Sequence, residues 1–342
     1  MQVPAYQFLN MSIIKIDLKS AKPIYKQIVQ RVEQGILSGE LPRNYRLPSI
    51  NKVCRANGIS RDSVLLAYQE LKKKGVVHAI PGKGYYVRTQ TINYEKKYFL
   101  LFDELNVFKE DLYKSFLDTL NGKAIVDIFF HHFNKNMFEK LIYDANGNYS
   151  KYIVMPSNLK GVEKAIAILP ATDVYILDQS RRSLFSYASI YQNFISAMYQ
   201  SLQAASNQLK KYKRMVLIHP GQKEPLGMVT GFKQYCNDQR IAHKVIRSFQ
   251  DQQPQKGTVY VTPEDRDLVN IVEKSEQLNL LIGKEVGIIS YNETALKKVV
   301  ANGITTISTD FGAMGARLAE MVWNQESIKI ENPSQLILRN SL

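Results

Sequence analysis

The chain has 342 residues, of which 45% are hydrophobic and 22% charged, and it carries a formal net charge of +14. That length exceeds what one hydrophobic core usually organises, so more than one domain is expected. Two cysteines are too few for a disulfide framework or a cysteine metal cluster, and no run of eighteen apolar residues exists to form a membrane-spanning helix.

The N-terminal stretch MQVPAYQFLN lacks the basic-then-apolar order of a secretory signal, so a cytoplasmic location with reduced thiols is expected. Met11 precedes SIIKIDL, and residues 1–12 read as a leader without fixed structure.

Ile24, Ile28, Val32 and Ile36 recur every four residues and predict a helix from about Ile24, stopped by Gly39. Ser49 is placed to cap a second helix that carries Ile50, Val53 and Cys54 inward and ends at Asn57-Gly58, a pair suited to a left-handed turn. Ser60 caps a third, with Val64, Ala67, Tyr68 and Leu71 on its inner face and Arg61, Asp62 and Ser63 free at its exposed start. After Lys72-Lys73-Lys74-Gly75, VVHAI and YYVR read as two strands joined by Pro81-Gly82-Lys83-Gly84, with Lys83 at the tip. Two helices joined by a Gly turn and followed by a hairpin make a winged helix-turn-helix, a device for entering a DNA groove. Residues 1–90 hold fifteen Lys/Arg against five Asp/Glu, a net of +10, so the basic footprint is local to this head.

PIYKQIVQRVEQGILSGEL, RLPSINKV, SRDSVLLAYQELKKKGVV and PGKGYYV resemble the DNA-binding head of the GntR family of bacterial transcription regulators, over about residues 13–88. The resemblance implies operator DNA as a partner, with positions 51 and 61 as typical contacts; together with the exposed helix start and the wing tip, the expected DNA-binding set is Arg46, Ser49, Asn51, Ser60, Arg61, Asp62, Ser63, Gly82 and Lys83. Asn51 stands where the family usually has Arg. Asn can pair with adenine N6 and N7 but cannot reproduce the Arg fork on guanine, so a different operator sequence is expected.

TINYEKK, at 91–97, reads as a short polar linker, with a domain boundary at about residue 90. Beyond it YFLLF, AIVDIFF, YIVM, VYILD, MVLI, TVYV, VGIIS and TTIS each precede a polar or amphipathic stretch. Repeated β-α order predicts α/β architecture, a parallel sheet covered by helices. KRMVLIHP, GMVTGFKQY, GTVYVTPEDRDLV, VGIISYNETALKKVV and above all TDFGAMGARLAEMV resemble the effector-binding body of LacI-type repressors and periplasmic sugar-binding proteins. The likeness runs over about 98–338 and is stronger from Asp178 onward. It implies two α/β lobes around a cleft over 98–342, which is also the dimerisation domain. The whole chain therefore resembles arabinose-repressor-like regulators, in which a sugar or phosphosugar in the cleft controls DNA affinity.

Ligands of open α/β sheets sit beyond the carboxyl ends of strands, where this chain places Asp103, Glu104 and Asn106, then Asp178 and Arg181, then Glu264 and Asp265, then Asn292 and Glu293. Tyr191 joins this candidate set. By the resemblance Asp178 matches a family Asp, Asn292 falls where that family has a sugar-contacting Asp, and Phe311 matches its cleft aromatic. Met228 stands where the family has an Arg. Arg181-Arg182 keep a phosphosugar open.

Enzyme signals are thin. Cys54 and Cys236 show no metal-ligand spacing, and no cofactor is expected. His131-His132, as neighbours on a strand, face opposite sides and read as a surface or loop pair. His219-Pro220-Gly221 and Gly82-Lys83-Gly84 lack the spacing of phosphate-binding loops. An aminotransferase-like body with pyridoxal phosphate, found in some GntR members, needs a longer chain. Two alternatives remain: a constitutive DNA-binding dimer whose body only dimerises, and a carbohydrate enzyme using Asp178 with Glu264 or Glu293 as acid and base.

Overall fold

The computed structural model describes residues 14–20, 22–89, 96–179, 181–221 and 223–342. The leader expected at 1–12 and most of the linker expected at 91–97 lie outside the described residues. The chain divides into two compact units between Lys96 and Lys97, with the turn at 145–148 grouped with the first.

In the first unit, helix α1 (Ile24–Leu37) buries Ile28, Val32 and Ile36 and is closed at Ser38, one residue before Gly39 turns left-handed at φ 79°. Helix α2 (Ile50–Asn57) starts at Ser49, whose hydroxyl accepts from the Lys52 N–H at 3.3 Å, and ends at Gly58 with φ 66°. Helix α3 (Arg61–Lys73) starts at Ser60, which accepts from the Ser63 N–H at 3.3 Å. Its inner face, Val64, Ala67, Tyr68 and Leu71, is fully buried. Strands β1 (Val77–Ile80) and β2 (Gly84–Val87) pair antiparallel, Val77 opposite Val87 and Ile80 opposite Gly84.

The segment before α2 joins this hairpin. Leu47 N–H donates to Tyr85 O and Val87 N–H to Tyr45 O, with Arg46 bridged to Tyr86.

The second unit begins with β3 (Lys97–Phe102), α4 (Val107–Leu120), β4 (Ile125–Phe130), α5 (Lys135–Ala145), β5 (Lys151–Val154), the short α6 (Glu163–Ile166), β6 (Val174–Asp178) and β7 (Ala188–Tyr191). The chain then crosses to a second lobe: α7 (Phe194–Ala204), α8 (Ser206–Leu209), β8 (Arg214–Ile218), α9 (Leu226–Asp238), β9 (Ala242–Ile246), β10 (Thr258–Thr262), α10 (Asp265–Gln277), β11 (Val286–Tyr291) and β12 (Thr305–Thr309). It returns to the first lobe as α11 (Phe311–Trp323) and β13 (Lys329–Glu331), then crosses again to end on β14 (Ser334–Ile337).

The first lobe has the sheet order β13-β7-β6-β5-β3-β4, all parallel. The second has β14-β12-β11-β10-β8-β9, parallel except for β14. Central strands such as β6, β10 and β12 are buried at every position, as strands covered by helices on both faces must be. All eight predicted strand runs are strands, and they divide between two sheets, one in each of the two expected lobes. Four more, β7, β9, β13 and β14, went unread because they are short and, except for β7, half exposed, and so carry no long apolar run.

The first lobe's core joins Tyr98, Leu100 and Phe102 of β3 to Leu112 and Phe116 of α4 and Met314 and Leu318 of α11. The two helices approach closely because Gly315 lies over the Leu112 carbonyl, where a Cβ would stand 2.2 Å away. The second lobe packs α7 and α9 on one face of its sheet and α10 on the other. Among the described residues no helix is long and apolar enough to cross a membrane.

Candidate functional site

In the head, the exposed start of α3 and the wing tip form one candidate surface. Arg46, Ser49, Asn51, Ser60, Arg61, Asp62, Gly82 and Lys83 are exposed and Ser63 is half-buried. The Ser49 and Ser60 hydroxyl oxygens accept the cap hydrogen bonds, and Ser60 Oγ also lies 2.9 Å from Ser63 Oγ. Tyr68 OH donates to Pro48 O at 2.7 Å and fixes α3 against the start of α2. In the wing, Lys83 N–H donates to Ile80 O at 2.9 Å, and Gly82 and Gly84 take φ 73° and 114°. The Arg46 side chain runs beside Gly84, its Nε 3.6 Å from where a Cβ would sit.

In the second unit a cleft of about 140 Å³ lies between the lobes, beyond the carboxyl ends of their strands. Of the eleven residues proposed from sequence it brings together seven: Asp103, Glu104, Asn106, Asp178, Glu264, Asn292 and Phe311. Asp178 ends β6 and Asn292 directly follows β11, both in left-handed backbone, φ 72° and 61°, a conformation Asp and Asn tolerate better than most residues.

Four proposed residues are placed elsewhere. Arg181 donates to Leu159 O at 2.5 Å and to Ser157 O and faces Glu163 at 3.5 Å, so its guanidinium serves the loop after β5. With Tyr191 it lines an adjoining depression that shares Gln192 and Phe194 with the cleft. Asp265 pairs with Lys297 at 3.0 Å. Glu293 takes a bidentate grip from Arg339, at 2.7 and 2.9 Å. Burial alone would raise the Glu293 carboxyl, but that grip and the Thr306 hydroxyl hold it below the usual range.

Several wall residues were missed. Lys109, one turn into α4, pairs with Asp103 inside the cleft, where Ser157 also donates to Asp103 at 2.6 Å. Phe108 stacks on Phe311 at 5.1 Å. Lys223, Glu224 and Phe133 come from loops, and Gln192 follows the unread strand β7. Their only sequence signal is position just past a strand end.

His131 is fully buried in the loop after β4, its Nε2 3.0 Å from Met155 O, while His132 is exposed. The expected loop placement holds for the pair, but the surface placement fails for His131. Burial lowers its pKa. Cys54 and Cys236 are free thiols, and among the described residues no His, Cys, Asp or Glu cluster could hold a metal ion.

Asp178 is the most perturbed acid. Burial pushes its carboxyl up to about 6 and Asp103 adds to this, against Lys109 and the Gln192 side chain, whose Nε2 donates to Asp178 Oδ1 at 2.5 Å. Opposite, burial and the neighbouring Glu224 carboxyl raise Glu264. Two cleft-lining atoms have no hydrogen-bond partner among the described residues: the hydroxyl of Tyr291, which is 3% exposed, and Oδ1 of Asn292. The Ser334 hydroxyl, 2.7 Å from Thr309 Oγ1, lies close enough to influence the Tyr291 hydroxyl without forming a hydrogen bond to it. Lys297 donates to the carbonyls of Tyr291 and Asn292, both at 2.9 Å, and so fixes this wall. Buried polar groups left open in a cleft are what a hydroxylated ligand would satisfy.

The lobes also touch directly. Lys223 donates to Glu104 at 2.6 Å, and Asn158 Nδ2 donates to the carbonyls of Lys223 and Glu224, both at 3.0 Å.

Residues 24–87 match the profile of bacterial regulatory proteins, gntR family. The head is a GntR-family DNA-binding domain. Among relatives of the GntR head, the HTH-type transcriptional repressor YtrA of Bacillus subtilis is 29% identical over 106 residues, 31% of this chain and 78% of its own length. The mannosyl-D-glycerate transport/metabolism system repressor MngR of Escherichia coli is 34% identical over 83 residues, 24% of this chain and 35% of its own. The chain thus spans about a third of MngR.

Past the GntR head, the body is similar to a periplasmic binding protein/LacI transcriptional regulator from Alkaliphilus metalliredigens, solved with D-xylulofuranose. The TM-score is 0.57 at 12% identity, covering 72% of this chain and 98% of that one. The body has the LacI-type, periplasmic-binding-protein-like fold, and these similar proteins are regulators rather than enzymes.

Proposed function

We propose that this protein is a sequence-specific transcription regulator, a cytoplasmic homodimeric repressor of a carbohydrate-utilisation operon whose grip on operator DNA is controlled by a sugar or sugar derivative bound between the two lobes. The observation that carries the sensor reading is the cleft itself. Carboxylates, two unsatisfied polar groups and an aromatic pair converge there from both lobes. The sugar in the similar LacI-type structure and the sugar-linked name of MngR support the same class of ligand.

Two heads would engage half-sites about one helical turn apart, as a symmetric dimer requires. The effector would release DNA only to the extent that it binds the DNA-free arrangement more tightly than the DNA-bound one. The test is fluorescence anisotropy on the DNA upstream of the protein's own gene, titrated with and without a panel of sugars. A sugar that weakens binding in the wild type but not in Asp178→Ala is the expected result. Binding that no sugar alters, with unfolding temperatures that no sugar shifts, would sink the sensor reading in favour of a constitutive DNA-binding dimer.

A further inference from the structure

The two cleft lysines are already committed: Lys109 to Asp103, and Lys223 to Glu104 at 2.6 Å. Among the described residues no arginine lines the cleft, and Arg181 is turned to the carbonyls of Ser157 and Leu159. After those pairings three carboxyl groups on the walls have no cationic partner among the described residues: Asp178, Glu224 and Glu264. Asp178 accepts only neutral donors, and Glu224 accepts the Gly221 N–H at 2.9 Å. The carboxyls of Glu224 and Glu264 lie side by side, an arrangement that one shared proton or one bound cation relieves.

The unpartnered Tyr291 hydroxyl, 97% buried beside Asp178, marks the same cavity as a ligand site independently of the acids. Phe108 and Phe311 add aromatic surface, whose faces attract cations as well as apolar sugar edges.

Resting on the effector reading above, we infer that the ligand is a polyol bearing a protonated amine and no phosphate, its ammonium held by Glu224 and Glu264 and its hydroxyls by Asp178, Tyr291 and Asn292. A phosphate would meet three unpaired carboxylates and two lysines already neutralised by their own partners, an arrangement that repels it. A neutral sugar would satisfy the hydroxyl partners but leave the two glutamates in contact. An ammonium group neutralises them and gains charged hydrogen bonds, which exceed neutral ones by about ten-fold in affinity.

The test is calorimetric titration and thermal unfolding of the full-length protein with matched sets of probes: glucose, galactose and mannose, their 2-amino counterparts, and the 6-phosphates of both. The expected result is that an amino sugar binds about ten-fold or more tightly than its neutral counterpart. Glu224→Gln and Glu264→Gln should remove that preference while the folded protein keeps its wild-type circular dichroism. Binding of a neutral or phosphorylated sugar as tight as that of the amine overturns this inference and leaves the effector reading standing. If no member of the panel binds, both fall together.

Discussion

Gln192 accepts a 2.6 Å hydrogen bond from the Thr309 hydroxyl, and through it the first crossover between the lobes is tied to the second. The third joins them, because Ser334 lies 2.7 Å from the same Thr309 oxygen and Asn332 N–H donates to Tyr191 O at 2.7 Å. Gln192 also reaches Asp178 in the cleft. One buried side chain therefore touches both the candidate ligand site and the strands about which the lobes would move.

Thr309→Val removes the donor and leaves Gln192 Oε1 buried without one. Loss of about 1–3 kcal/mol of unfolding free energy is expected in urea titrations. Combining it with Gln192→Leu should cost less than the sum of the two single changes, since the second removes the group the first leaves unpaired. Strict additivity would show that the contact carries no coupling.

Asp178 gives the fold a pH dependence. Its carboxyl ordinarily titrates near 3.8 and burial raises it to about 6. Below 3.8 both folded and unfolded states hold the proton. Between the two values only the folded state does, so stability falls as pH rises through this window, and the full penalty is present above about 6. Asp178→Asn keeps an acceptor for Gln192 without the charge, and it should gain on the order of 3 kcal/mol at pH 7 and little at pH 4. Melting curves across that range check this, and a gain of equal size at both ends would refute it.

Two glycines of one motif should behave oppositely. Gly315→Ala would put a methyl 2.2 Å from the Leu112 carbonyl oxygen, forcing α11 away from α4, at a cost of about 1–3 kcal/mol. At Gly312 a Cβ meets nothing nearer than Asp310 Oδ1 at 3.4 Å, and Ala there should be neutral or stabilising by up to about 1 kcal/mol. Thermal unfolding of the two variants side by side decides it.

Arg61→Ala should weaken binding to the operator and lower the slope of log affinity against log salt by about one if its partner is a phosphate. It should relax sequence preference at one position if its partner is a base. Lys83→Ala at the wing tip should weaken binding to all sequences alike. Anisotropy titrations over a salt series, on cognate and scrambled duplexes, separate these outcomes. An Arg61→Ala protein with unchanged affinity and slope would remove α3 from the interface.

The head was legible in the sequence almost residue by residue, because its determinants are local. Ser49 and Ser60 cap helices within three residues of themselves, Gly58 closes α2 on the spot, and the four-residue spacing of α1 and α3 names their buried faces. The eight long apolar strands were legible for the same reason. Only the tertiary structure decided which strands share a sheet, since β3 pairs with β4 and β5 while β8 pairs with β9 and β10, and β13 returns to β7, Lys329 opposite Ser189, through contacts that no local pattern encodes. It also decided which polar strand-end residues enter the cleft. Glu293 and Arg181 carry the same sequence credentials as Glu264 and Asp178, yet Arg339 and the carbonyls after β5 claim them first. A charged side chain pairs with whatever partner the fold brings within about 3 Å, and residues 46 positions apart become neighbours only once the sheets have formed.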